Sequence, residues 1–241
     1  MSKLFTKVLN LFYPPKCTFC RRTLPLSSTF MLCKSCADEI PFCLSYECCD
    51  ICGKPIDDGM ERCSFCREHP KAPYRALAAA YLYRGAVRRS IVRFKHEKFL
   101  SYADVYAAHM AAVIRYRWAD QKFDGVVSVP PSKARMRKEN YDQAEHLARA
   151  LARELKLPYL KRAMYQTEEH TPQHQLSAKE RQKAAERRYG IWKRERLQGK
   201  TLLLADDICT TRATLWGCAA ELKRAGAKAV YGVVAATVRE E

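Results

Sequence analysis

Two groups of residues in this sequence have types and spacings that can carry chemistry. The first is a set of four Cys-x-x-Cys pairs, Cys17/Cys20, Cys33/Cys36, Cys49/Cys52 and Cys63/Cys66. A gap of two residues lets both thiolates of a pair face one ion, and two pairs complete a tetrahedral all-thiolate site. Zinc is the expected occupant, ahead of an iron–sulfur or redox role. Twelve residues separate Cys20 from Cys33 and ten separate Cys52 from Cys63. Sequential and cross-braced pairings both satisfy these intervals; sequential pairing closes the shorter loops and is expected. A site closed by four thiolates keeps no position for substrate, so the zinc is structural and holds together a segment too small for its own core. Gly53 suits the tight turn after its pair. Cys43 and Cys48 lack partners at this spacing and read as small hydrophobes or free thiols. His69 reads as a surface histidine.

The second group is LLLADDICTTRATL, residues 202–215. An apolar strand brings Asp206 and Asp207 to its carboxyl end, and a threonine-rich loop then opens a helix. Ligands of open α/β sheets gather at such strand ends. The free N–H groups and positive dipole end of a helix N-terminus suit a phosphate. Thr210, Thr211 and Thr214 add hydroxyl donors. The two carboxylates suit a ribose diol, held directly or through a hydrated divalent ion. A capped helix after a core strand would explain one acid and one threonine, but not the whole run.

The elements that must position these residues follow from periodicity. Residues 76–83 read as a strand, followed by a basic helix with Val87, Ile91 and Phe94 on one face and a helical stretch to Trp118. Residues 125–131 form a second strand. Ala144, Leu147, Leu151 and Leu155 mark an amphipathic helix that Pro158 stops. Strand 200–207, helix 213–225 with Gly226 at its C-cap, and strand 229–237 complete the order. The polar stretch 166–188 has no assignment. Alternating strands and helices predict a mostly parallel sheet with helices on both faces. The grammar changes between residues 67 and 75, which predicts a cysteine-rich zinc-binding domain over 1–70 and an α/β domain over 71–241.

With 48% hydrophobic residues and 29% charged residues in 241, the chain has the composition of a globular protein. No apolar run reaches the roughly 18 residues needed to span a bilayer. The first residues lack the apolar core and cleavage site of a signal peptide. Leu4, Phe5, Val8, Leu9, Leu11 and Phe12 recur at helical spacing, as a helix docked on the core or lying on a membrane surface. Ten of the twelve cysteines lie between Cys17 and Cys66, and clustering without a secretion signal predicts metal binding in a reducing compartment, hence a cytoplasmic protein. Any membrane association would then come through partners. A formal net charge of +17 attracts polyanions without choosing among nucleic acid, anionic lipid and phosphorylated small molecules.

The 202–215 segment resembles the phosphoribosyl-pyrophosphate (PRPP) loop of type I phosphoribosyltransferases, in which two acids precede a Thr-Thr-Gly-x-Thr turn. The resemblance implies that Asp206 and Asp207 hold the ribose hydroxyls and that Thr210, Thr211, Arg212, Ala213 and Thr214 cradle the 5-phosphate. Arg212 stands where these enzymes have glycine, so it either adds charge to the phosphate or blocks the pocket. Paired knuckles ahead of such a domain resemble the ComF family, a similarity that covers nearly the whole chain. VVSVPPSKARMRKENYDQAEHLARAL (126–151) is similar to that family's strand, pyrophosphate-side loop and helix, with Ser132 and Lys133 beside the pyrophosphate. Residues 161–181, with Thr171, Pro172, Gln173, Leu176, Ser177, Glu180 and Arg181, resemble its polar segment, which includes the mobile loop of phosphoribosyltransferases. Members carry Arg-Gly-Phe-Asn-Gln where this chain has Glu139, Asn140, Tyr141, Asp142 and Gln143; Lys133, Arg135, Arg137 and Lys138 would offset the lost arginine. The implied fold is a type I phosphoribosyltransferase-like sheet preceded by a zinc finger. The implied function is accessory work in DNA uptake and transformation, handling single-stranded DNA with a helicase-like ATPase. Tyr81, Tyr83, Arg84, Arg88, Arg89 and Arg93 mix aromatic and basic residues as such a surface would, but their alternation is equally that of a half-buried strand followed by a basic helix. The alternative is an active phosphoribosyltransferase that uses magnesium and PRPP, or a related phosphorylated small molecule, with an unknown acceptor.

Overall fold

The structure, a computed structural model, describes residues 14–28, 30–57, 59–132, 136–137, 141–167 and 188–239. Lys133, Arg135, Lys138, Glu139, Asn140, the N-terminal residues 4–12 and the 171–181 motif lie outside the described residues.

Four strands form a parallel sheet: β1 (Ala76–Leu82), β2 (Gly125–Ser128), β5 (Thr201–Cys209) and β6 (Ala229–Thr237), in the order β1-β6-β5-β2. Strands β3 (Met164–Gln166) and β4 (Tyr189–Ile191) pair antiparallel as a separate ribbon. Alternation along each strand sorts the core into two layers. Ala76, Ala78 and Ala80 of β1, with Leu203 and Ala205 of β5, face helices α3 (Gly85–His96), α4 (Tyr102–Arg117) and α5 (Gln143–Leu155). Leu77 and Ala79, with Leu202 and Leu204, face α6 (Ala213–Arg224). Burial on both sides explains why these strands read as nearly continuous apolar runs. The expected helical stretch to Trp118 is two helices, broken at 97–101, and the expected strand 125–131 stops at Ser128, short of Pro130 and Pro131.

The cysteine-rich segment contributes two short helices, α1 (Lys34–Glu39) and α2 (Ser64–Glu68). It straddles the sheet. Cys17, Phe19, Cys33 and Cys36 join the core layer of α3–α5, whereas Cys49, Cys52, Cys63 and Cys66 join that of α6. The connection between the two halves runs along the outer edge of β1, where Leu77 and Leu82 donate backbone hydrogen bonds to the carbonyls of Ile51 (2.7 Å) and Pro41 (2.9 Å). An edge strand left open is a template for wrong pairing; here the segment covers it. The opposite edge is covered in the same way, with Val126 donating to Pro158 and Leu160 to Val126, both at 2.9 Å.

Candidate functional site

The eight paired cysteines gather into two groups, Cys17–Cys20–Cys33–Cys36 and Cys49–Cys52–Cys63–Cys66, with the sulfurs of each group within 4.8 Å of one another. The pairing is sequential. Sulfurs about 2.3 Å from a tetrahedral ion lie about 3.8 Å apart, and the Cys20–Cys33 and Cys52–Cys63 separations are both 3.6 Å. Four converging sulfurs, buried except for Cys20, are a donor set that fits structural zinc. Cys43 and Cys48 stand outside both groups, Cys48 donating to the Cys43 carbonyl. His69 is no ligand either. It is half-buried, stacked on Phe65 with ring centroids 4.3 Å apart, and edge-on to Trp216 of α6.

Asp206 and Asp207 sit at the carboxyl end of β5, and Asp206 accepts the Asp207 backbone N–H at 2.8 Å. Burial first, and the adjacent Asp207 charge second, push the Asp206 carboxyl up to about 8. Asp207 is paired: Lys95 Nζ, at the end of α3, lies 3.1 Å from its Oδ2. Sequence reasoning did not single out Lys95, because one more cation on a basic helix gives no signal of its own. Its position is fixed through Gln143, whose side chain is buried and donates to the Lys95 carbonyl at 3.1 Å. Gln143 itself begins α5 just after Asp142, which caps that helix by accepting the Glu145 N–H at 2.9 Å. Tyr141 is buried and edge-on to Phe94.

Beyond Cys209 the chain turns into α6. Thr210, Thr211, Ala213 and Thr214 are exposed around this turn, and the Thr214 hydroxyl is hydrogen-bonded to Tyr189 of β4. Thr237 donates to the Cys209 carbonyl at 3.1 Å, tying the turn to β6. Arg212 has φ +68°, the left-handed conformation that favours glycine. Its side chain leaves the loop. It is buried against the second cysteine group, with the guanidinium 4.0 Å over the Phe65 ring and Nη1 donating to Cys52 Sγ at 3.7 Å. The backbone thus keeps a glycine-type turn, and the bulk of the residue is stored in the zinc-binding segment. Ser132 is half-buried in the loop after β2.

Comparison with known proteins finds relatives of the cysteine-rich segment and of the chain as a whole. Residues 8–69 match the double zinc ribbon domain. Along 91% of its length the chain is 22% identical to competence protein F of Haemophilus influenzae, covering 95% of that protein. It is a homologue of that protein. The same share of the chain is 26% identical to the DNA utilization protein YhgH of Escherichia coli K12, covering 96% of it. Among solved structures, glutamine PRPP amidotransferase from B. subtilis overlaps 55% of the chain at 20% identity and TM-score 0.38, and the chain spans only 26% of it. Hypoxanthine phosphoribosyl transferase of Trypanosoma cruzi overlaps 56% at 16% identity and TM-score 0.37, with 64% of that chain covered. Among the described residues no helix is long and apolar enough to cross a membrane.

Of the aromatic and basic residues around helix α3, Tyr83 is half-buried, in keeping with the half-buried strand reading. Tyr81 is fully buried in the core, and Arg93 is turned inward to the carbonyls of Thr18 and Phe19. Arg84, Arg88 and Arg89 are exposed.

Proposed function

We propose that the protein is an accessory of DNA uptake that binds a PRPP-type ligand with magnesium at the end of β5. In this reading it handles incoming single-stranded DNA, with a helicase-like ATPase as partner. The observation that carries the ligand-binding part is Arg212: the turn keeps positive φ while the side chain lies outside it. Asp206 and Asp207 accept the ribose hydroxyls. The N–H groups at the start of α6, with the hydroxyls of Thr210, Thr211 and Thr214, take the 5-phosphate. The family resemblance assigns Ser132 and Lys133 to the pyrophosphate. Magnesium, when bound with the ligand, neutralises part of the pyrophosphate charge.

The test is calorimetric titration of magnesium–PRPP into the zinc-loaded protein and into the double variant Asp206→Asn, Asp207→Asn. Saturable heat in the first and none in the second is expected. No heat in either would sink the ligand reading. Pyrophosphate release with a panel of base and amine acceptors then separates binding from transfer.

Single-stranded DNA needs a basic track and aromatic platforms. The ribbon β3–β4 supports this reading better than α3 does. Tyr165 and Trp192 lie together there with centroids 4.8 Å apart, and Trp192 is 64% exposed. Lys161, Arg162, Lys193 and Arg194 are exposed around them.

A further inference from the structure

The second cysteine group and the threonine loop are joined by one side chain. Arg212 spends its guanidinium on Cys52 Sγ and the Phe65 ring, both in the 49–66 segment. Its own backbone N–H bonds the Cys209 sulfur, inside the turn. One turn later in α6, Trp216 packs edge-on against Phe65, with centroids 6.4 Å apart, and against Tyr74 at 5.8 Å. On the other side, the knuckle has no slack: a Cβ on Gly53 would stand 2.5 Å from the Leu77 carbonyl oxygen of β1. Cys52 is therefore held between the sheet and the loop.

Four thiolates around one zinc leave a net negative cluster, and its sulfurs are the acceptors through which outer groups hold it. A guanidinium donates well to such a sulfur and stacks on an aromatic face at the same time. The bond works in both directions. It stabilises the ligand sulfur, and it pins a non-glycine residue in a left-handed conformation that arginine resists. With zinc bound, Cys52 Sγ is a fixed point for the guanidinium. With zinc gone, that point is free to move, and the turn at Arg212, with φ +68°, loses its anchor outside the loop.

We propose that Arg212 is a positioning residue that couples zinc at Cys49, Cys52, Cys63 and Cys66 to the shape of the 209–214 turn, so that loss of this zinc closes the phosphate site. The consequence for ligand binding rests on the phosphate-loop reading above; the coupling itself does not.

The coupling is measured on the full chain by hydrogen exchange of amides 209–215 and by the rate of zinc release to a chromogenic chelator. In the wild type, chelation is expected to speed exchange of these amides at least tenfold. In the fully zinc-loaded Arg212→Gly variant, one of the two zinc ions should leave at least fivefold faster, because Cys52 has lost its donor. Its turn should exchange at a rate that no longer depends on zinc. Arg212→Lys, which keeps a cation but not the planar fork, should fall between the two. A glycine variant with wild-type zinc release and wild-type exchange coupling would overturn the proposal. Intact coupling with no magnesium–PRPP binding in the wild type would leave the coupling standing and remove only the ligand reading.

Discussion

Asp206 is held under tension by its neighbours. Its carboxyl rises to about 8 through burial and the adjacent Asp207 charge, whereas an unfolded aspartate titrates near 4. Between those two values the folded state holds a proton that the unfolded state has lost, so stability falls as pH rises from about 4 to about 8. Asp206→Asn removes that loss, and a higher melting temperature at pH 8 is expected by calorimetry even as ligand binding disappears. Ligand binding needs the ionised carboxylate and should therefore strengthen from pH 7 to pH 9, approaching a tenfold change per unit on the acid side. Affinity that is flat over that range would contradict the assignment. Lys95 is the counterweight. Its ion pair with Asp207 is largely buried, with side-chain exposures of 22% and 10%. Lys95→Met should cost about 3 kcal/mol in denaturant unfolding, because the remaining charge is left without its partner.

At the scale of elements, what could be read from the sequence was what periodicity and spacing encode. Leu147 and Leu151 marked α5, and the apolar runs marked β5 and β6. The Cys-x-x-Cys intervals led to sequential pairing, which the sulfur positions bear out. Contacts between distant segments were not legible. Nothing in CDICG (49–53) or TTRAT (210–214) indicates that residue 212 reaches Cys52, because that meeting depends on the sheet bringing α6 over the second cysteine group. Nor did β3 and β4 stand out: three residues each are too few for a period to show. Local capping is the part of the architecture most open to a simple test. Asp142→Ala removes the acceptor for the Glu145 N–H, with an expected loss of about 1 kcal/mol and slackening of the Gln143–Lys95 link behind it.

The molecule as a whole joins a basic surface to a zinc-braced sheet. If the β3–β4 face stacks single-stranded DNA, Trp192→Ala should raise the dissociation constant about tenfold or more. Binding by the wild type should weaken steeply with salt, as phosphate contacts release counterions. Equal affinity of wild type and variant in fluorescence anisotropy would move the strand elsewhere. Zinc removal has a second whole-molecule effect. The segment that covers the edge of β1 is held by both ribbons, and chelation should expose that edge and produce light-scattering aggregates.

The parallel pairing of β1 with β6 also dictates an order of events during synthesis. The ribbons and β1 leave the ribosome before β6, the strand that completes β1, and before α6, the helix that follows Arg212. The growing chain must therefore carry an unfinished sheet edge and a half-covered metal knuckle until those segments emerge, and zinc captured early is what would keep both from straying.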